Sequence, residues 1–506
     1  MKGKVYLVGA GPGDPGLITV KGLECIRRAD VLIYDFLASP SLLKHACQDT
    51  EMIYVGKKGG NHTLSQNRIN DLIVEKAQSG STVTRLKGGD PFIFGRGGEE
   101  AEVLIRAGIP FEIVPGVTSA IAAPAYAGIP LTHRNYTSTL AFVTGHEDPI
   151  KEASGIDWES LARGIGTIVF LMGVKNLPLI TQRLLKHGMD PDTPVALIRW
   201  GTTAKQITLV GTLCTIAERV KTAGLKPPAI IIVGNVVKLR ETLKWFENNR
   251  PLIGKSIVVT RSREQASELV DRLSDLGAEC LECPTIKVVP PDDVKPLDKA
   301  INTLSSYDWL IFTSVNGVQF FFSRLFEKNK DVRDLNHVRT AVIGPATAKR
   351  LLDFGFKSDI IPENYRAESV VKAFAKEDII GKKVLLPRAK EARPVLPLEL
   401  AKMGAVVDEV EAYRTIAVKD NADVVIQRLT ERTIHMITFT SSSTAKNFHA
   451  LLPSEELDHL MKGVTIACIG PITADTARRL GFDVHIVAES YTIPGLCDAI
   501  VQYYHP

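Results

Sequence analysis

The second half of this chain is written twice. Gly254-Lys255-Ser256 with Arg261 returns 127 residues on as Gly381-Lys382-Lys383 with Arg388. Phe312-Thr313-Ser314 returns at the same spacing as Phe439-Thr440-Ser441. Ile343-Gly344-Pro345-Ala346-Thr347-Ala348 matches Ile469-Gly470-Pro471-Ile472-Thr473-Ala474, and Gly355-Phe356 matches Gly481-Phe482, each 126 residues on. Tyr365 and Tyr491 keep that register. Solenoid units run to about 20–45 residues, so a repeat of this length is a duplicated lobe. Two related α/β lobes are expected to face each other across a cleft. In open α/β sheets ligands sit beyond the carboxyl ends of the strands, so the paired loops should line it.

The first half alternates apolar strand-like runs with helical spacing. Lys4–Gly9, Val31–Asp35, Val83–Leu86 and Ile113–Val114 read as strands, and Leu17–Ala29 reads as a helix. After Leu140 a second set follows at Ala141–Thr144, Thr167–Met172, Val195–Ile198 and Ala229–Gly234. The alternation predicts an α/β fold with largely parallel sheets. Glu247–Pro251 (ENNRP) is polar, carries a proline and precedes a fresh strand at Lys255–Thr260, which divides the chain into domains 1–247 and 252–506.

Composition excludes several classes. The chain has 506 residues, 45% of them hydrophobic and 23% charged, which rules out a disordered chain, a collagen and a small disulfide scaffold. A net charge of +4 is too slight for a nucleic-acid binder but suits a protein that holds small anions. The seven cysteines are too scattered for a disulfide framework, and Cys280 and Cys283 read as small residues entering a strand. With no signal-peptide pattern and no run of about 20 apolar residues, the expectation is a cytoplasmic protein with no membrane partner.

Two glycine-rich loops carry the candidate chemistry of the first half. Gly9-Ala10-Gly11-Pro12-Gly13-Asp14-Pro15-Gly16 joins a strand to a helix, where backbone N–H groups can meet a ligand. It imitates a dinucleotide fingerprint, and Asp35 imitates the ribose-binding acid. The match fails because Asp14 stands where that fingerprint requires glycine. The second loop, Arg85-Leu86-Lys87-Gly88-Gly89-Asp90-Pro91-Phe92-Ile93-Phe94-Gly95-Arg96-Gly97-Gly98-Glu99-Glu100, is too rich in glycine and cations for a plain turn. Val114-Pro115-Gly116-Val117-Thr118-Ser119-Ala120 adds hydroxyls at a helix start, where they can also act as N-caps.

The ordered blocks GAGPGDPGLITVKG, ADVLIYDFL, VGKKGG, RLKGGDPFIFGRGGEE, VPGVTSAIAAPAYAGIPLTHR, LMGV and PPAIIIVGNVV resemble the tetrapyrrole methylase family over roughly residues 1–245. The resemblance implies a two-lobed fold that methylates uroporphyrinogen III at ring carbons 2 and 7, with S-adenosylmethionine as methyl donor and precorrin-2 as product. It places the cofactor against Pro12, Gly88, Gly89, Asp90, Ile93, Thr118, Ser119, Met172, Gly201 and Ala229. Ser119 departs from the family's usual alanine. Acid or base roles fall on Asp35 and Lys57. The related enzymes imply a homodimer through this half, with a product that feeds sirohaem or cobalamin.

In the second half no nucleophile–base pair, metal cluster or phosphate loop is visible. Thr313/Ser314 and Thr440/Ser441/Ser442 are paired hydroxyls, beside paired Gly-Pro-x-Thr-Ala loops in which Thr347 and Thr473 can serve as N-caps. These groups suit carboxylate binding, whether in an enzyme or in a non-catalytic two-lobed tetrapyrrole-binding module. The blocks VVTRSREQASELVDRLSDLGAECLECPTIKV, FTSVNGV, IGPATA, PENYRAES, EVEAYRT, FTSSST and IGPITADTA resemble the uroporphyrinogen-III synthase family over roughly 252–503. That resemblance implies cyclisation of hydroxymethylbilane with inversion of its last ring, without a metal or cofactor. Tyr413 is the implied acid or orienting group. Thr260, Ser314, Ser441 and Thr473 are expected cleft contacts, Arg261 and Arg388 carboxylate partners, and hinges are expected near Pro290 and Tyr413.

Overall fold

The computed structural model describes residues 3–56, 64–146, 155–261, 263–362, 367–390, 392, 394–418 and 421–505. Lys57 and Tyr365 lie outside the described residues. The chain divides into two compact units, one of Met1–Ile257 with Asp271–Cys280 and Ile500–Pro506, the other of Val258–Val270 with Leu281–Ala499.

The first unit holds two five-stranded sheets. β1 (Val5–Gly9), β2 (Val31–Tyr34), β3 (Glu51–Tyr54), β4 (Val83–Lys87) and β5 (Phe111–Val114) lie in the order β3-β2-β4-β1-β5, every pairing parallel. β1 and β4 are central and buried; β1 reads as a near-continuous apolar run, whereas β4 (Val-Thr-Arg-Leu-Lys) buries Arg85 and Lys87 as well. The expected helix over Leu17–Ala29 is shorter, Val20–Arg27, because Pro15–Leu17 forms a 3₁₀ turn capped by the Asp14 carboxylate.

β6 (Leu140–Thr144), β7 (Thr167–Leu171), β8 (Pro194–Arg199), β9 (Ile207–Thr212) and β10 (Ala229–Val233) form the second sheet, ordered β6-β7-β10-β8-β9. Only β6 and β7 pair in parallel; β10 runs antiparallel to both β7 and β8, and β8 and β9 make an antiparallel hairpin. The parallel expectation therefore fits the first sheet and fails for most of the second. A short turn can join only antiparallel neighbours, and the turn after Arg199 is one.

The remaining strands are β11 (Ser256–Val259), β12 (Glu279–Glu282), β13 (Ile286–Val289), β14 (Trp309–Phe312), β15 (Arg339–Val342), β16 (Lys383–Ala389), β17 (Val406–Ala417), β18 (Met436–Phe439), β19 (Thr465–Cys468) and β20 (Val484–Val487). They make two sheets, β12-β11-β18-β19-β20 and β13-β17-β16-β14-β15. The repeat is visible in the packing. Phe312 meets Phe321 edge-on at 5.5 Å, and 127 residues on Phe439 meets Phe448 edge-on at 5.7 Å. Phe322 lies 6.0 Å from Phe356, and His449 takes its place 5.9 Å from Phe482.

The same correspondence governs the loops. Ser314 caps the helix Val315–Glu327 by accepting from Gly317 N at 2.9 Å, and Ser441 caps Ser442–Leu451 by accepting from Thr444 N at 3.2 Å. Thr347 and Thr473 are not caps. Gly344 and Gly470 hold those positions, and both threonines sit inside helices Pro345–Asp353 and Pro471–Arg479, 3% and 6% exposed. The crossings between sheets also differ from expectation. The chain changes sheet between Glu282 and Ile286 and again after Ala417, whereas Tyr413 lies within β17 and Pro290 just past β13. The two crossings are tied together by Val418 N donating to Thr285 O and Asn421 Nδ2 donating to Glu282 O.

Candidate functional site

The loops after β1, β4 and β5 are knitted together at the carboxyl ends of the parallel strands. Gly11 N donates to Gly89 O at 3.2 Å and Gly89 N to Gly11 O at 2.7 Å, while Ala10 N donates to Lys87 O. A side chain at Gly9 would come within 2.5 Å of Gly116 Cα, so the first and third loops touch backbone to backbone. Asp90 completes the knit. Its Oδ1 accepts from Phe92 N and Ile93 N, and its Oδ2 accepts from Gly116 N at 2.9 Å. Gly89, at φ +72, is the open point: a Cβ there would meet nothing nearer than Ser119 N and Thr118 Cα at 3.8 Å. Thr118 caps the helix Ser119–Tyr126 and is 6% exposed.

The second sheet faces these loops with its own strand ends. Asp14 N donates to Thr202 Oγ1 at 3.0 Å, Tyr126 OH donates to Asp14 Oδ2 at 2.7 Å, and Phe36 lies 5.8 Å from Trp200 edge-on. Gly13, next to the half-buried Pro12, lies against Thr202, Thr203 and Gly201, and Gly201 packs on Ala123 with no room for a side chain. Met172 follows Leu171, the register partner of Ile230, and Ala229 precedes Ile230 as the register partner of Arg199. Met172, Trp200 and Thr202 take φ of 56, 50 and 72, and Phe94 and Arg96, in the loop after β4, take 53 and 59. Left-handed backbone at non-glycine residues costs about 1–3 kcal/mol each and persists where binding loops are over-determined. Gly88 packs on Leu37, and Leu37, Phe92, Ile93, Phe94 and Met172 leave an exposed apolar rim.

Beneath the rim lies a charge network. Asp35, at the end of β2, accepts from Leu37 N at 3.1 Å through Oδ1 and from Arg85 Nη2 at 3.2 Å through Oδ2. Arg85 also reaches Glu100 Oε1 at 3.4 Å, and Lys87 Nζ donates to that same oxygen at 2.7 Å. Burial pushes the Lys87 ammonium below the ordinary lysine range, with the nearby Arg85 charge acting the same way and Glu100 opposing. Sequence reasoning passed over Arg85, Glu100, Trp200 and Thr202. The Arg-Leu-Lys run was a visible signal for the first; nothing local marks Thr202.

In the second unit the Tyr413 hydroxyl and Ser314 Oγ are 2.9 Å apart, and Phe320 stacks on the phenol ring at 5.8 Å. Arg388 is the penultimate residue of β16, one before Ala389, the register partner of Tyr413. It is 3% exposed, lies 3.5 Å from Glu409, and burial lowers its pKa against the pull of Glu409 and Tyr413. These three predicted residues share one lobe end. Thr260 is 1% exposed and donates its hydroxyl to Thr438 O, so it ties strands together. Arg261 is half-buried at the end of β11, and burial lowers its pKa. Ser441 hydrogen-bonds Ser443, and Thr473 packs into its helix.

Residues 4–217 match the family of tetrapyrrole (corrin/porphyrin) methylases, and residues 267–498 match uroporphyrinogen-III synthase HemD. A porphyrin biosynthesis protein HemD of Ruminiclostridium josui is 40% identical over 500 residues, covering 99% of this chain and 98% of that protein. A uroporphyrinogen-III C-methyltransferase of Bacillus subtilis is 45% identical over 333 residues, covering 66% of this chain and 68% of its own. An S-adenosyl-L-methionine-dependent uroporphyrinogen III methyltransferase of Methanosarcina barkeri is 56% identical over 241 residues, covering 48% of this chain and 94% of its own. No helix of the described residues is long and apolar enough to cross a membrane. With the knitted glycine loops preceding the duplicated lobes along one chain, the end-to-end match shows that the chain belongs to the porphyrin-biosynthesis family that joins a tetrapyrrole methylase to a uroporphyrinogen-III synthase.

Proposed function

We propose that the chain performs two consecutive steps of tetrapyrrole biosynthesis. Its second half closes hydroxymethylbilane to uroporphyrinogen III, and its first half methylates that product at carbons 2 and 7 to precorrin-2. The observation that carries this reading is the match of both families within one chain that a single relative covers from end to end. The same reading makes the protein a cytoplasmic homodimer joined through residues 1–247, with the activities dividing at Glu247–Pro251.

The residues at the knitted loops fit S-adenosylmethionine. Gly89 opens toward Thr118 and Ser119, the Asp90 carboxylate is engaged in shaping its own loop, and the apolar Ile93 and Met172 stand exposed for the uncharged parts of a ligand. When bound, that group supplies an electrophilic methyl. Transfer of that methyl to a pyrrole carbon would break the sulfur–methyl bond, release S-adenosylhomocysteine and leave positive charge on the macrocycle, and Asp35 is assigned to stabilise that charge or to take the pyrrole proton. Lys57 is assigned to substrate carboxylates or proton delivery. Orientation of the two reactants supplies much of the rate.

In the second half the substrate is already reactive, so the enzyme folds it for attack at the correct carbon. The Tyr413 phenol, oriented by Ser314, assists loss of the terminal hydroxyl. The test is incubation of the full chain with hydroxymethylbilane, with and without S-adenosylmethionine, followed by product mass and isomer composition. Isomer III without the methyl donor and a doubly methylated product with it are expected. Only the spontaneous, uninverted isomer I would make the second half a binding module.

A further inference from the structure

Arg85 is buried, yet its guanidinium reaches toward a group that is not. Its side chain is 4% exposed, while that of Asp35 is 26% exposed. Each nitrogen of the fork donates: Nη2 to Asp35 Oδ2 at 3.2 Å, Nη1 to Leu86 O at 3.0 Å and Ile33 O at 3.5 Å, and Nε to Glu100 Oε1 at 3.4 Å. Glu100 is 1% exposed and its Oε1 also takes Lys87 Nζ at 2.7 Å and Gln66 Nε2 at 3.1 Å. Two cations and two carboxylates therefore balance, and Asp35 is the only one of the four that reaches the surface. A buried arginine in such a set is costly unless both carboxylates stay charged and in place. The planar fork fixes direction as well as charge, which a lysine's point charge does not.

We infer that Arg85 is the positioning residue of the methyl-transfer site: anchored on Glu100, it holds the Asp35 carboxylate so that its outward face meets the tetrapyrrole. The inference rests on the reading of Asp35 as the group that meets substrate. Each Asp35 oxygen is held from the protein side by one donor, Leu37 N or Arg85 Nη2, and this leaves the outward lone pairs for the ligand. A scaffold role alone would lower S-adenosylmethionine binding and turnover together. A positioning role lowers turnover alone.

The test uses the full-length protein with Arg85→Met, Arg85→Lys, Asp35→Asn and the Arg85→Met/Asp35→Asn pair. Calorimetry reads S-adenosylmethionine affinity, and steady-state methylation of uroporphyrinogen III reads kcat and KM. Arg85→Met is expected to lower kcat about 20-fold with Kd and KM within about twofold, and Arg85→Lys to lower it about fivefold. In the Asp35→Asn background the Arg85 change is expected to cost no more than about a further twofold. Losses that multiply in the double variant, or an Arg85→Met enzyme with unaltered kcat, would overturn the positioning role. Should Arg85→Met fail to fold, the Arg85→Lys/Asp35→Asn pair carries the same comparison. Wild-type turnover by Asp35→Asn would sink the reading of Asp35 itself, and the Arg85 proposal with it.

Discussion

The Ser314 hydroxyl does two things at once. It accepts from Gly317 N as a helix N-cap and shares a hydrogen bond with the Tyr413 phenol. Because the cap fixes the oxygen, the phenol has a fixed partner, and Phe320 fixes the plane of its ring. Tyr413→Phe is expected to lower isomer III formation about tenfold with little change in stability, since the ring keeps its packing. Ser314→Ala removes the cap as well, so it should cost about 1 kcal/mol of stability in addition to activity. The ratio of isomer III to isomer I beside a thermal melt separates the two; a Tyr413→Phe enzyme with an unchanged ratio would remove the phenol from the cyclisation. Tyr413 was reachable from sequence only through resemblance, and its pairing with Ser314, 99 residues away, through none of the local patterns.

At the scale of elements, the helix that Ser314 starts is pinned at its other end. Arg324, on Val315–Glu327, grips Asp298 of the helix Lys295–Asn302 through Nε at 2.7 Å and Nη2 at 2.8 Å, and Lys328 Nζ adds a third contact at 2.7 Å. Hydrogen bonds from Arg324 foremost, then Lys328, bring the Asp298 pKa down to about 2. The folded value lies below the ordinary one, so this carboxylate stabilises the fold at neutral pH and loses that contribution as pH falls from about 4 to 2. Asp298→Asn should therefore speed hydrogen exchange along Val315–Glu327 at pH 6, with the gap from wild type closing near pH 2. A gap that persisted at low pH would exclude this ionic tie as its source. Strand positions were legible because β1, β7 and β10 are buried apolar runs; their directions were not, since a buried run of Ile and Val looks the same either way along the chain. β3 and β9 escaped notice for a related reason: Glu51–Tyr54 is an edge strand with exposed Glu51 and Met52, and Ile207–Thr212 is only half-buried, so neither forms an apolar run.

At the scale of the whole molecule, the 127-residue register was readable because duplicated lobes must repeat the residues that pack them. Phe321 and Phe448 therefore recur at that spacing even though their surroundings diverge. The methylase loops were readable as blocks, but the bonds that knit Gly11 to Gly89 and Asp90 to Gly116 join distant segments that no window of sequence contains. Under the proposed pair of activities, each half completes its own site: Asp35, Arg85 and Glu100 all lie in the first unit, and Ser314, Arg388 and Tyr413 all lie in the second. The halves should then fail independently. Full-length Asp35→Ala should form uroporphyrinogen III from hydroxymethylbilane at the wild-type rate and stop there, while Tyr413→Phe should methylate supplied uroporphyrinogen III normally. Mixed in equal amounts, the two variants should restore precorrin-2. At an enzyme–substrate rate constant of about 10⁷ M⁻¹s⁻¹, micromolar enzyme captures a released polycarboxylate at about 10 s⁻¹, which keeps pace with turnover of that order, and the net charge of +4 favours its capture. A mixture that accumulated uroporphyrinogen III without methylating it would show that the intermediate must pass within one molecule.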